Sequence, residues 1–395
     1  MPWLAGTFAV CAVVQAGSAG ESSGEASTSE LSRTTGKKID AIANGWVRSG
    51  RSAGLAVAVA RDGRVVFARG YGYANIEDKV PVTPDTVFRI GSITKQFTAA
   101  AVALLAERGQ LSLDDYVAKF IPQFPAGGSV SIRRLLNHTS GVHNMVEDLF
   151  VDPKQLQLLR LDYANEELLG KLESRKPVYD FPPGTGWHYS NSGYMVAGMI
   201  AEKVSGQNLQ QYLQEQIFAK LGMAHSALDD NETLVPHRAV GYDPSQAEPG
   251  TFQHAQFFSM TGAKWSGGIR STVGDLVRWH HALFAGKVLG SAMLKEMLTP
   301  GKLLDGRPAN QGQVSLDQSD EPMAEGEYAL GLNISTLAGH KQIGHDGNLF
   351  GSSAVLNTYP DDRLTVVVLS NTSGGVEGGE KPVWKQIALA VLPPK

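Results

Sequence analysis

Strand-like runs occupy the two ends of this 395-residue chain, and a long, mostly helical block of about 110–285 separates them. Residues 54–60 (GLAVAVA) and 64–69 (RVVFAR) flank Arg61-Asp62-Gly63, a hairpin signal. Near the other end, 328–336, 340–346, 351–358 and 364–370 read as strands, with Tyr359-Pro360-Asp361-Asp362 turning between the last two. Neither group is large enough to form a stable sheet alone. The economical solution is an α/β fold: one antiparallel sheet built from both chain ends, with helices packed on it and the middle as an inserted, mostly helical subdomain. Length alone suggests about two to three domains. The split sheet reduces this to one domain over 36–394, with the α/β part at about 36–91 and 328–394 and the insertion at about 92–327.

Helical periodicity supports that division. Residues 36–50 place Ile39, Ile42, Ala43, Trp46 and Val47 on one face and end at Gly50. A short extended run, 87–91, leads into 93–108 (ITKQFTAAAVALLAER), a nearly all-apolar helix closed by Gly109 that must be buried. Further helices are expected at 131–137, 155–174, 193–204, 208–221, 273–285 and 382–392. The acidic stretch within 301–327 (Asp305, Asp317, Asp320, Glu321, Glu325, Glu327) lacks calcium-loop spacing and reads as a solvated loop.

Composition removes several classes. With 35 basic and 39 acidic residues, net charge −4, the chain has no footprint for a nucleic-acid partner. Residues 3–16 are apolar and are followed by Gly17-Ser18-Ala19-Gly20, as in the core and cleavage region of a secretory signal, although Met1-Pro2 brings no positive charge. We expect residues 1–19 to be a signal peptide of an exported protein, followed by a flexible linker over 20–35. The apolar run is too short for a stable membrane span, which needs about 20 residues. The one cysteine, Cys11, lies in the leader, so disulfides and cysteine zinc sites are excluded. No His-Glu-x-x-His or phosphate loop occurs, and no cofactor or metal is implied. Nothing in the sequence bears on oligomeric state.

Three short constellations can carry chemistry. Ser92-Ile93-Thr94-Lys95 is the chain's one Ser-x-x-Lys, at the start of the buried helix. Residues three apart share a helix face, so the Lys95 amine can reach the Ser92 hydroxyl, and a desolvated lysine can act as a base. Ser92 as a helix cap with Lys95 on the surface is the structural alternative. Tyr189-Ser190-Asn191 is one of three Tyr-x-Asn matches, with 73–75 and 163–165. Context favours it, because it joins the rigid 182–186 loop to a helix, yet a buried tyrosine and a capping asparagine fit equally. His345-Asp346-Gly347 is the chain's one His-x-Gly, at the end of an expected strand. Gly347 permits close approach of a substrate backbone, and the N–H groups of Ser92 and Asn348 could form an oxyanion hole. An Asp-Gly hairpin turn explains the same residues.

Taken in order, these three motifs resemble those of the penicillin-recognising serine hydrolases: serine β-lactamases, D-Ala-D-Ala carboxypeptidases, D-aminopeptidases and β-lactamase-like esterases. The segments Leu135–Val142, Phe181–Trp187 and Gly267–Thr272 with Asp275-Leu276 are similar too, and the resemblance runs from about 36 to 394. It implies that Ser92 is the acylated nucleophile, Lys95 its base and Tyr189 a proton relay to the leaving group. It also implies that Asn191, His345, Gly347 and Asn348 bind substrate. His345 stands where a lysine is commonest, and a neutral imidazole there fits the carboxypeptidase, aminopeptidase or esterase branches better than a β-lactamase. The implied partner is a small ester or a D-amino-acid-containing peptide. A β-lactamase, or a catalytically silent cell-wall or peptide sensor, is the alternative. Trp265 reads as either cleft wall or core.

Overall fold

The computed structural model describes residues 31–151, 155–315, 326–377 and 381–395. The leader with Cys11, the linker up to residue 30, and Asp317, Asp320, Glu321 and Glu325 of the acidic stretch lie outside the described residues.

Eight strands form one antiparallel sheet. The first part of the chain supplies β1 (Gly54–Arg61), β2 (Arg64–Asn75) and β3 (Val80–Pro81). The last part supplies β4 (Glu327–Tyr328), β5 (Asn333–Leu337), β6 (His340–Leu349), β7 (Ser352–Tyr359) and β8 (Leu364–Ser370). Their order is β3-β2-β1-β8-β7-β6-β5-β4, so the chain ends meet at the β1/β8 pair, in register from Leu55 opposite Ser370 to Arg61 opposite Leu364. The split sheet expected from the sequence is therefore formed.

Strand β1 shows why both faces must be covered. Its side chains alternate in size rather than polarity, since a strand's residues point to opposite faces in turn. Leu55, Val57 and Val59 join Ile39, Trp46, Val383 and Ile387, where helices α1 (Arg33–Arg48) and α6 (Val383–Val391) cover the sheet. Ala56, Ala58 and Ala60 face the other core, built from α2 (Thr94–Glu107), α4 (Asn191–Ser205) and α5 (Val273–Phe284). The alanines let α5 approach β1 and β8 closely. Helix α2 is buried from Thr94 through Leu105, as its apolar composition demands.

Several boundaries differ from expectation. Helix α1 starts at Arg33, inside the segment read as linker, because Ser32 caps it through a 3.1 Å bond from the Thr35 N–H. The expected helix 155–174 is a short 3-10 segment, Gln155–Arg160, followed by α3 (Asn165–Ser174). The break is tied to a neighbouring loop by Ser259 N–H to Leu159 O, 2.7 Å, and Tyr163 N–H to the Thr261 hydroxyl, 3.0 Å. The helix at 208–221 contains a wider π turn over Gln214–Phe218. The strand at 328–336 is split by a turn in which Ala329 N–H bonds Leu332 O. Strand β6 runs through Leu349, so His345-Asp346-Gly347 lies within a strand rather than in an Asp-Gly turn. No described helix is long and apolar enough to cross a membrane.

Candidate active site

Ser92 sits in a single 3-10 turn, Gly91–Ile93, directly before α2. Neither that turn nor α2 has a side-chain cap bond, so Ser92 is not spent as a cap. Its hydroxyl instead meets Lys95 Nζ at 3.0 Å. Lys95 is fully buried, and its amine also donates to Asn191 Oδ1 at 2.7 Å and to the Ser266 carbonyl at 2.8 Å. It makes no ion pair among the described residues. Burial drives its pKa well below the usual lysine value, with the Asp346 carboxylate opposing the shift. The faces of Tyr189 and Tyr194 lie 4.7 and 5.4 Å from the amine.

A small sheet brings Ser266 to this point. Phe88–Arg89 pairs with Ile269–Ser271, which pairs with Ala227–Leu228. Ile90 N–H bonds Ile269 O and Ile269 N–H bonds the Thr94 hydroxyl, each at 3.0 Å, which locks the Gly267-Gly268 segment onto the start of α2. Trp265 is core: it is fully buried, and a Cβ at Gly198 would lie 2.0 Å from its ring.

Of the three Tyr-x-Asn matches, 189–191 reaches Lys95. Asn191 opens α4, with Ser190 as the cap accepting from Gly193 N–H at 3.0 Å. The Asn191 amide is oriented by Asn144, whose Oδ1 accepts from Asn191 N–H at 3.1 Å and from Nδ2 at 3.3 Å. Asn191 Oδ1 is thereby turned toward Lys95. Burial raises the Tyr189 pKa above the usual phenol value, and a hydrogen bond with Ser92 opposes this. Tyr73 is on β2, 43% exposed. The Tyr163 hydroxyl donates to Leu158 O at 3.2 Å.

Behind Tyr189 stands His138, fully buried at φ +63°, its ring 4.4 Å from Tyr189 and 4.5 Å from Tyr328 between centroids. Its Nδ1 accepts the Ser190 N–H at 3.0 Å, so Nε2 carries the hydrogen, and burial holds the ring neutral by lowering its pKa.

Gly347 of β6 touches the turn that carries Ser92. A Cβ on Gly347 would lie 2.1 Å from Ile90 O and 2.8 Å from Ser92 N, and one on Gly91 would lie 2.7 Å from Asn348 N. The backbone nitrogens of Ser92 and Asn348 are therefore neighbours across a contact only glycine permits. His345 is buried beside them. Its Nδ1 is 2.5 Å from Asp346 O, so that nitrogen donates, and Nε2 accepts from the Tyr328 hydroxyl at 2.8 Å. Burial lowers its pKa most, Lys95 adds to this, and Asp346 opposes.

A cavity of about 580 Å³ opens at Ser92, with Asn191, Ser266, Gly267 and Asn348 also on its wall. Tyr189 and His345 are not among the described residues lining it. Sequence reasoning missed Asn144, the Ser266 carbonyl, His138, Tyr194 and Tyr328. None lies in a motif with Ser92, and a backbone carbonyl has no sequence signature.

Comparison with known proteins shows the family. Penicillin-binding protein 4* of Bacillus subtilis is 28% identical over 331 residues, covering 81% of this chain and 68% of that one. A D-aminopeptidase of Cereibacter sphaeroides is 30% identical over 340 residues, covering 85% of this chain and 59% of that one. The crystal structure of the D-amino acid amidase from Ochrobactrum anthropi SV3, complexed with L-phenylalanine amide, superposes with a TM-score of 0.75 at 25% identity, covering 91% and 98% of the two chains. The Beta-lactamase family model matches residues 37–390, so the chain belongs to the Beta-lactamase family, the serine hydrolase group its three motifs resemble.

Proposed function

We propose that the protein is a serine hydrolase that works through an acyl-Ser92 intermediate on an ester or a D-amino-acid-containing peptide. The observation that carries this reading is the buried Lys95 amine 3.0 Å from Ser92 Oγ. Asn191 Oδ1 and the Ser266 carbonyl can only accept, so they take two N–H bonds of the Lys95 amine, and burial favours its neutral form. The remaining lone pair then faces the Ser92 hydroxyl. Lys95 takes the Ser92 proton as Oγ attacks the substrate carbonyl carbon, and the oxyanion is received by the Ser92 and Asn348 N–H groups. Tyr189 passes the proton on to the departing alcohol or amine as its bond to the acyl carbon breaks. Water then attacks the acyl-Ser92 carbonyl, releasing the acid and restoring the hydroxyl.

His345 has both ring nitrogens occupied. Its role in this reading is to brace Tyr328 and the β6 edge beside the substrate, rather than to clamp a carboxylate. That favours ester and amide substrates over those needing a terminal carboxylate clamp at this position. One domain over 36–394 carries the chemistry, and the apolar run 3–16 with its small-residue boundary directs export.

Covalent labelling tests the reading. A fluorophosphonate probe should add one probe mass to the intact protein, mapping to Ser92 and vanishing in Ser92→Ala. No adduct on correctly folded protein would favour a silent peptide sensor. A panel of p-nitrophenyl esters, D-Ala-D-Ala peptides and nitrocefin, compared by kcat/KM, then separates the substrate classes.

A further inference from the structure

The cavity at Ser92 has a chemistry of its own. Its wall is dominated by apolar side chains from separate parts of the chain, among them Met145, Leu159, Leu168, Phe258, Leu349 and Phe350. At about 580 Å³ it falls within the 300–1,000 Å³ range of pockets that hold drug-sized ligands, far beyond what an acetyl group or a single small residue would fill. Among the described residues, charged side chains reach it from Asp148, Lys171 and Arg175. Asp148 is taken, pairing with Arg175 Nε at 3.1 Å and with His143 Nε2 at 3.1 Å. Lys171 on α3 is different. It is exposed, lies 4.9 Å over the Tyr163 ring, and has no carboxylate partner among the described residues.

The direction of the substrate follows from which catalytic groups face the cavity. Asn191 and Asn348 line it, whereas Tyr189, the group nearest the leaving atom in the proposed reaction, does not. The cavity therefore lies on the acyl side of the scissile bond. Resting on the acyl-Ser92 reading, we propose that the acyl half of the substrate is a bulky, mainly apolar group whose far end carries an anionic substituent, a carboxylate, that pairs with Lys171. This narrows the substrate from any small ester or D-peptide to acyl donors with an apolar body and a distal negative charge.

The test compares kcat/KM for three p-nitrophenyl esters on the intact protein: acetate, octanoate and the monoester of octanedioic acid. Each buried methylene is worth a factor of about four, so burying only three of the six added carbons predicts at least a roughly 50-fold gain of octanoate over acetate. The octanedioate monoester should be hydrolysed at least as well as octanoate. In Lys171→Glu the octanedioate-to-octanoate ratio should fall about fivefold or more, and in wild type it should shrink as salt is raised, since an exposed pair is screened. Lys171→Met removes the charge alone and should lower the ratio less. Equal turnover of acetate and octanoate, or a ratio that neither Lys171 variant nor salt moves, would overturn the inference. The fluorophosphonate adduct separates the two levels: Ser92 labelled with no acyl-chain preference removes the inference and leaves the acyl-enzyme reading, and no adduct removes both.

Discussion

Gly347 and Ser92 are in backbone contact: a Cβ on Gly347 would lie 2.8 Å from the Ser92 nitrogen, with the Ile90 oxygen only 2.1 Å away. Both obstructing atoms are main chain and cannot swing aside. Gly347→Ala must therefore push β6 away from the Ser92 turn and separate the Ser92 and Asn348 N–H groups. We expect kcat to fall by about 10²–10³, the cost of one lost oxyanion donor. Overpacking should also cost about 1–3 kcal/mol of stability. Steady-state kinetics and thermal denaturation check this, and wild-type kcat would show that the contact is not needed.

The buried Lys95 gives the reaction its pH dependence. The base must be neutral to take the Ser92 proton, and burial lowers its pKa well below 10.5. Activity should rise with pH through that lowered pKa and reach its plateau below the pH at which an ordinary lysine titrates. Lys95→Met should cost about 10²–10⁴ in kcat/KM, the usual worth of a general base. A pH–rate profile on an ester substrate reads the limb directly. A limb still rising near 10 would mean that Lys95 is not the base.

Tyr189 and Tyr163 both precede an asparagine by two positions, and of the two only Tyr163 is among the described residues lining the cavity. The Tyr189 ring lies 4.7 Å from the Lys95 amine, while the Tyr163 hydroxyl is committed to Leu158 O at 3.2 Å. Tyr189→Phe should lower kcat by about 10² or more, and Tyr163→Phe should affect kcat far less. The reverse ranking would move the relay to residue 163.

Asn144 acts through Asn191. Asn144→Ala removes the acceptor that turns Asn191 Oδ1 toward Lys95, and kcat should drop about tenfold, a geometric loss within the range known for misplaced groups. Asn144→Asp keeps the acceptor and adds a negative charge near the amine. It should recover part of the rate while moving the acid limb to higher pH. A limb that stays in place in Asn144→Asp would argue against this coupling.

Acid should destabilise the fold through its buried histidines. His280 Nε2 donates to Gln96 Oε1 at 2.9 Å and Nδ1 accepts from the Thr358 hydroxyl at 2.8 Å, so the ring is neutral, and burial lowers its pKa to about 3. The unfolded chain, with a histidine pKa near the ordinary 6.5, binds more protons below that pH, so stability is full above pH ~6.5 and falls as pH drops. At pH 5 the cost is roughly 2 kcal/mol for this residue alone, and it continues to grow until pH ~3. Thermal melts between pH 7.5 and 5 should show Tm falling, with a shallower slope in His280→Gln. An unchanged slope in that variant would show that His280 is not the titrating group.

The elements were legible because their signals are local. The 61–63 turn, the strand-like run of β1 and the all-apolar α2 each follow from neighbours in sequence. The assembly of one sheet from both chain ends followed too, since neither strand group could stand alone. Local reasoning failed where distant contacts decide. The Ser259 and Thr261 contacts break the helix expected over 155–174, whereas the Ser32 cap is a local signal that the linker reading passed over. Contact with Ile90 keeps Gly347 inside β6, where an Asp-Gly turn also fitted the sequence.

The chemistry divides in the same way. The sequence by itself determined which residues could act: the one Ser-x-x-Lys, a Tyr-x-Asn at a rigid junction and the one His-x-Gly. Spacing alone could not choose Tyr189 over Tyr163, and the sequence could not free Ser92 from a capping role or foresee that Asn191 and the Ser266 carbonyl hold the Lys95 amine. Those outcomes rest on contacts between residues 96 and 171 positions apart and on the burial around them. Proton affinity depends on that burial, and only the folded chain supplies it.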